Sequence, residues 1–289
     1  MSTSSVELKK ADEERSAAQR RVEQRPRGAG WLLPAIVVLY AGLLFAGPLA
    51  AIAWGALSSG LSAMLKQITS AEALNALKLT LILSIAATLI NTFFGMCVAL
   101  FLVRDNVRGR RFLNGLVDLP FAVSPVIAGF TLILMFGRNG WFTEIIDALN
   151  IRVVFALPGM LLATIFVSLP FVVRSVIPVL KHAGTEQENV AYTMGAAHWR
   201  TFWHITLPNI RWGLLYGISL TFARAIGEFG AVLVVGGGVT RLTETSTLYI
   251  YRALDDRNEI GAYAMVLVLA AVSLGLLLVM EYSRKQRES

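Results

Sequence analysis

EQENVAYTMGAAHWRTFWHITLP, residues 186–208, decides how the rest of this 289-residue chain is read. It is polar and charged, yet it lies between two strongly apolar runs, 153–173 and the one that starts near Trp212. A minimal turn would join two membrane helices, whereas this connection runs from about Lys181 to Arg211. Connections of more than about 12–15 residues usually have a job or are disordered. Ala191, Met194, Gly195, His198, Phe202 and Ile205 recur at helical spacing, which predicts a helical lever with one semi-apolar face. Pro208 is expected to end the pattern. Gly195 is expected to mark a bend, because glycine inside a helix costs about 1 kcal/mol against alanine. An exposed hairpin with an apolar face needs a partner to cover it; the bland alternative is a surface hairpin that only ties two helices together.

Composition fixes the setting. The chain is 55% hydrophobic and 16% charged, and its charges are segregated. Charge-free runs at 28–65, 79–103, 119–137, 153–173 and 260–280 approach or exceed the ~20 residues of a membrane-spanning helix. With the apolar segment after Arg211 they predict six spans, roughly 31–57, 77–103, 116–136, 156–178, 210–235 and 260–281. Backbone groups in lipid must be satisfied internally, so the spans are helices and the class is an all-α membrane protein. The net charge of +7 does not point to nucleic acid. An even number of spans puts both termini, the turn 104–111 and the 186–208 loop on one side. Most of the Lys and Arg fall there, which makes that side cytoplasmic. Cys97 is the only cysteine and is expected to be a small core residue without a disulfide.

In chain order, residues 1–30 read as a polar cytoplasmic segment, either a solvated or membrane-surface helix. Pro48 is expected to kink the first span. The loop 58–76 suits the outer membrane surface. The basic turn RDNVRGRR, 104–111, is given no role beyond topology. In DLPFAVSPVIAG, residues 118–129, Pro120 and Pro125 should interrupt a helix at membrane depth, with Asp118 and Ser124 beside them. Broken helix there is tolerated where protein buries it or where it lines a cavity, so pathway, gate and simple kink all stay open. Trp141, Phe142 and Phe155 are placed as interface anchors. In the fifth span Gly213 and Gly217 permit close helix contact. Arg224 and Glu228 stand four apart and share a helix face. A mutual ion pair, structural or gating, is favoured over a direct contact of Arg224 with a passing anion. Gly236, Gly237 and Gly238 open the last outer loop.

Several motifs resemble a known family. Gly195, nine residues, then Ile205, Thr206, Leu207 and Pro208 is similar to the "EAA" coupling loop of permease subunits in bacterial ABC importers. The first half departs from the family pattern: Asn189, Val190 and Ala191 stand where Glu, Ala and Ala are usual. Glu188, one place early, is the candidate to replace the family's acidic contact to the ATPase. FAVSP, 121–125, resembles the third-span motif of sulfate permeases, and ARAIGEFGA, 223–231, a signature of oxyanion permeases. With FALPGM, LPFVVR and LPNIRWGLLYG, the stretch 75–281 looks most like the W-type permease subunit of a sulfate/thiosulfate importer.

The resemblance implies a type I permease fold, with the coupling helix between spans 4 and 5. Its divisions are a segment 1–30, a first transmembrane helix 31–57, a transmembrane domain 75–281 and a tail 282–289. It implies a second, related permease subunit, two ATPase subunits holding ATP and Mg, a periplasmic sulfate-binding protein and an inner-membrane location. Coupling-loop residues are then Glu188, Ala191, Gly195, Ala196, Ile205, Leu207 and Pro208. Pathway or gate candidates are Asp118, Pro120, Ser124, Pro125, Arg224 and Glu228. No catalytic or metal-binding set is expected. No G-x-x-x-x-G-K-[ST] occurs, so this chain is not the ATPase, and His198 and His204, six apart, fall on different helix faces. Molybdate or tungstate would be alternative cargo. An ion-gradient-driven anion transporter is the alternative class, which internal repeats would favour, and none is visible.

Overall fold

A computed structural model describes residues 31–104 and 109–288. The segment 1–30 and positions 105–108 of the basic turn lie outside the described residues. Residues 31–54 belong to a unit of their own, which is most of α1 (Leu32–Leu57), a helix that runs through Pro48. At about 1.5 Å per residue its 26 residues measure about 39 Å.

Residues from Gly55 onward form the second unit. Its elements are α2 (Leu61–Ile68), α3 (Ala71–Arg104), α4 (Arg110–Ala122), α5 (Pro125–Phe136), α6 (Thr143–Ala148), α7 (Leu157–Ala183), α8 (Glu186–Thr193), α9 (His198–Thr201), a π-helical turn Phe202–Thr206, α10 (Leu207–Ile226), α11 (Gly230–Gly236), α12 (Ser246–Asp255) and α13 (Glu259–Glu288). Four helices are long and apolar enough to cross a membrane: α1, α3, α7 and α13. Two further candidates are bent pairs, α4 with α5 at 111° and the run His198–Ile226 with α11 at 55°. The fold is all-α and multi-pass, with four to six spans according to how those pairs are counted.

Helix α7 is the axis of this unit. It packs against α3 on one side and α10 on another, and small residues set the distance. A Cβ on Gly95 of α3 would come within 2.9 Å of Val172 Cβ. One on Gly217 of α10 would come within 3.1 Å of the Val172 Cα, and one on Gly213 within 2.6 Å of Val179 Cγ2. The expected close contact through Gly213 and Gly217 is therefore made with α7. Ala99, Leu102, Val173, Val176, Leu180 and Ile210 form the core at one end of these three helices. Asn91 donates from Nδ2 to Ser168 Oγ at 2.9 Å and to the Ile165 carbonyl at 3.1 Å, a polar tie between α3 and α7. Cys97, expected in the core, is exposed. It sits on the face of α3 that also presents Phe93 and Phe94, opposite the buried row of Asn91, Gly95 and Ala99.

The other end is held by charge. Arg252 of α12 donates from Nε to Glu244 Oε1 at 2.5 Å, from Nη2 to Glu72 Oε2 at 3.0 Å and from Nη1 to Asp256 Oδ2 at 3.1 Å. Hydrogen bonding to Glu244 holds the guanidinium pKa above its ordinary value. Glu244 is 1% exposed and depends on this partner, since a buried carboxylate without one is costly. Lysine cannot reproduce the fork. Arg252→Lys is expected to cost about 1–2 kcal/mol, the exposed share of the pair being screened by solvent. A lower melting temperature of the detergent-solubilised protein is the measurable sign.

Candidate functional site

Two sites emerge: the elbow between α7 and α10, and the two helix breaks that face one another.

The elbow is not one lever. Helix α8 stops at Thr193, and Gly195 has φ +83°. The Gly195 N–H donates to the Tyr192 carbonyl at 3.0 Å, and the Ala196 N–H to the Ala191 carbonyl at 2.9 Å. That pair of bonds is a Schellman termination with glycine in its left-handed position. Ala191, Gly195 and Ala196 thus act together to end one helix and aim the next. The expected bend is there, but the semi-apolar stripe is divided between two short helices because the left-handed residue breaks their common axis.

Pro208 was expected to stop the helix and does not. Helical backbone continues from α9 into α10 through the π turn. The Leu207 N–H reaches back five residues to the Phe202 carbonyl, and Pro208 falls in the first turn of α10. Proline offers no N–H and crowds the carbonyl four residues earlier. The wider turn relieves that conflict without ending the helix. Ile205 and Leu207 are half-buried and Pro208 is exposed. Leu207 packs on the Ile210 and Leu180 core, so the elbow is continuous with the spans.

Glu188 points inward. It is 9% exposed, and its Oε1 accepts from Arg104 Nη2 at 2.9 Å and from Thr206 Oγ1 at 2.8 Å. Its carboxylate is engaged within the chain and is not presented to a neighbour, so it does not stand in for an external acidic contact. Nearby, Asn209 Nδ2 donates to Gln187 Oε1 at 2.8 Å. Arg104 was given no role from the sequence. It ends a 34-residue helix of about 51 Å, longer than the ~30 Å hydrocarbon layer, which lets it reach the elbow. Nothing in the sequence links positions 84 residues apart. The outer side of the elbow presents Val190, Met194, Trp199 and Trp203, exposed by 58%, 82%, 70% and 47%. Trp199 and Trp203 meet edge to face at 5.3 Å and Phe202 lies beside both. This is an apolar surface on a rigid base.

At the first break, Val123 and Ser124 separate α4 from α5, between the two prolines as the sequence predicts. Pro120 is buried in α4 and Pro125 starts α5. Asp118 does not open onto the break. Arg174 of α7 grips it, from Nε to Oδ1 at 2.7 Å and from Nη2 to Oδ2. The second break carries no proline to signal it. The fifth apolar run reads as one helix, but α10 ends at Ile226 and α11 starts at Gly230. Gly227 and Gly230 flank the gap and were the available signal. Glu228 lies in the gap, and Arg224 Nη1 still stands 2.8 Å from its Oε2. The contact is one of charge: Oε2 has no aligned hydrogen bond. The two breaks meet, because a Cβ on Gly230 would lie 3.2 Å from Val126 Cγ2 and one on Gly129 would lie 2.9 Å from the Ala231 carbonyl.

Residues 91–287 match the family described as "Binding-protein-dependent transport system inner membrane component". The "Sulfate transport system permease protein CysW" of Synechococcus elongatus is 44% identical over 83% of this chain and 84% of its own length. The protein of the same name from Escherichia coli K12 is 38% identical over 93% of this chain and 94% of its own. Among solved structures, a chain of the "bacterial alginate ABC transporter in complex with alginate pentasaccharide-bound periplasmic protein" superposes with a TM-score of 0.74 at 19% identity, covering 89% of this chain and 94% of that one. At that identity the likeness speaks for the fold alone.

Proposed function

The chain belongs to the family of binding-protein-dependent transport system inner membrane components, and from that premise we propose that it is the sulfate-conducting permease subunit of an ATP-driven importer. It is a multi-pass protein of the inner membrane and is not itself an enzyme. A periplasmic binding protein delivers the anion, and a second permease subunit completes the pathway. ATP and Mg are held by two separate ATPase subunits. Both termini and the elbow are cytoplasmic. The elbow, with Ala191, Gly195, Ala196, Ile205, Leu207 and Pro208 setting its shape, is the seat of the ATPase. Glu188 serves it from within as an internal clasp. Closure of the ATPase pair moves the elbow, and the spans joined to it through Leu207 reopen outward.

The observation that supports this reading best is the uncovered aromatic surface of Trp199 and Trp203 on an elbow bonded to α3 through Arg104 and to α10 through Asn209. Large exposed apolar patches mark interaction sites, and the bonds beneath this one would transmit a push. Labelled sulfate uptake by vesicles containing the complete importer tests it. Uptake is expected to require ATP and to survive collapse of the proton gradient at constant ATP. Uptake that follows the proton gradient would transfer the protein to the secondary transporters. Thiosulfate is expected to compete. Stronger competition by molybdate than by sulfate would reassign the cargo.

A further inference from the structure

We propose that Arg224, together with the start of α5, forms a waypoint where a tetrahedral oxyanion dwells during passage. The inference rests on the oxyanion-permease reading above and names a site within it. A cavity of about 490 Å³ lies against the first break, walled by Pro120, Ser124, Pro125, Val167, Phe171 and Arg224 among others. A water occupies about 30 Å³ of liquid, so an oxyanion fits with part of its hydration shell. Among the described residues, Arg224 is the single charged side chain on that wall.

The geometry leaves Arg224 free to bind. Its guanidinium carries five N–H donors, and among the described residues its one partner is the charge contact with Glu228. The side chain is 33% exposed, whereas that of Glu228 is 3% exposed. Glu228 is also fixed. Its Oε1 accepts from the Ala231 N–H at 3.0 Å, and its carbonyl accepts from Thr247 Oγ1 at 2.8 Å. The carboxylate therefore stays in place while the longer arginine can turn toward the cavity.

The start of α5 borders the site through Ser124 and Pro125. Pro125 has no N–H, and the first amide taken up by the preceding backbone is that of Ala128, which donates to the Ser124 carbonyl at 3.0 Å. The residues of this turn that line the cavity are Ser124 and Pro125, and the Ser124 side chain is not spent on capping the helix. Helix N-termini favour anions, and the planar fork of arginine matches the paired oxygens of a tetrahedral oxyanion. Pro120, Val167 and Phe171 supply apolar wall beside the guanidinium. Passage also requires release. Glu228 supplies it: as the anion departs, Arg224 returns to the fixed carboxylate. A fixed carboxylate beside a mobile cation thus makes a site that holds briefly.

The complete importer, reconstituted in vesicles with its binding protein, gives the test, read as labelled sulfate moved per ATP hydrolysed. Arg224→Gln is expected to lower that ratio at least tenfold. Arg224→Gln with Glu228→Gln is expected to stay equally low, because no cation remains for the anion. Arg224→Lys keeps the charge without the fork and is expected to fall between. If the single variant fails to assemble, the double variant, which leaves no unpaired buried carboxylate, decides. Recovery of the double variant to within twofold of wild type would show that Arg224 only neutralises Glu228, and would overturn the inference while leaving the functional reading intact. A wild-type importer that moves no sulfate would bring down the functional reading, and this inference with it.

Discussion

Gly195→Trp abolishes sulfate uptake and leaves membrane insertion intact: that is the expected result, and it follows from two features of one residue. Its φ of +83° is a conformation that glycine adopts freely and other residues adopt at about 1–2 kcal/mol. Its missing Cβ would meet nothing within 4 Å. A side chain therefore leaves the backbone here without meeting a wall among the described residues, and the strain stays local to the end of α8. The core of Leu102, Leu180 and Ile210 is untouched. The bulk instead projects beside Met194, which is 82% exposed, next to the apolar patch that the ATPase is proposed to cover. A well-packed contact cannot absorb a side chain of that size. Gly195→Asn separates the two causes, since asparagine tolerates the left-handed region and adds little volume. It should retain most uptake. Full activity of the tryptophan variant would mean that no subunit docks closely there. Equal loss in the asparagine variant would mean that the turn geometry, not the covered surface, is what matters.

These residues also show what could be read from the sequence. The helical class and the apolar runs were legible because hydrophobic length is a property of single segments. The first break was legible because Pro120 and Pro125 act on their own backbone. The end of α8 was legible at Gly195 for a similar local reason. What escaped depends on neighbours. Proline at 208 ordinarily signals a stop, and a π turn overrode it. The break around Glu228 was hidden because Arg224 and Glu228 stand four apart, the spacing of one helix face. Cys97 looked buried because it is small, but rotation of α3 is set by Gly95 against Val172, which a single helix does not reveal. The inward turn of Glu188 was hidden most deeply, since its partner belongs to a helix that ends 84 positions away.

Glu188→Ala is therefore the second large effect to expect, and its cause is purely internal. The substitution removes the acceptor shared by Arg104 and Thr206. Arg104 is left with its side chain 18% exposed and an Nε that already lacks a partner. Breaking one side of a buried pair costs about 3–5 kcal/mol, and the residual exposure here lowers that to about 2–4 kcal/mol. The span core does not depend on the pair, so the cost falls on the attachment of α8. Amide exchange across 186–206 is expected to accelerate by about 30-fold to several hundred-fold, since every 1.4 kcal/mol is about a factor of ten. Sulfate uptake is expected to fall by about tenfold or more, because a detached α8 yields under the proposed ATPase stroke without passing it to α3. The double variant Arg104→Met with Glu188→Leu isolates the reason. It leaves no unpaired charge, so it should recover stability by the logic of buried pairs. It restores no directional bond between α3 and α8, so uptake should stay low. If uptake returns together with stability, packing alone joins the elbow to the spans. If exchange across 186–206 is unchanged in Glu188→Ala, the clasp contributes nothing and the push travels through Leu207 only.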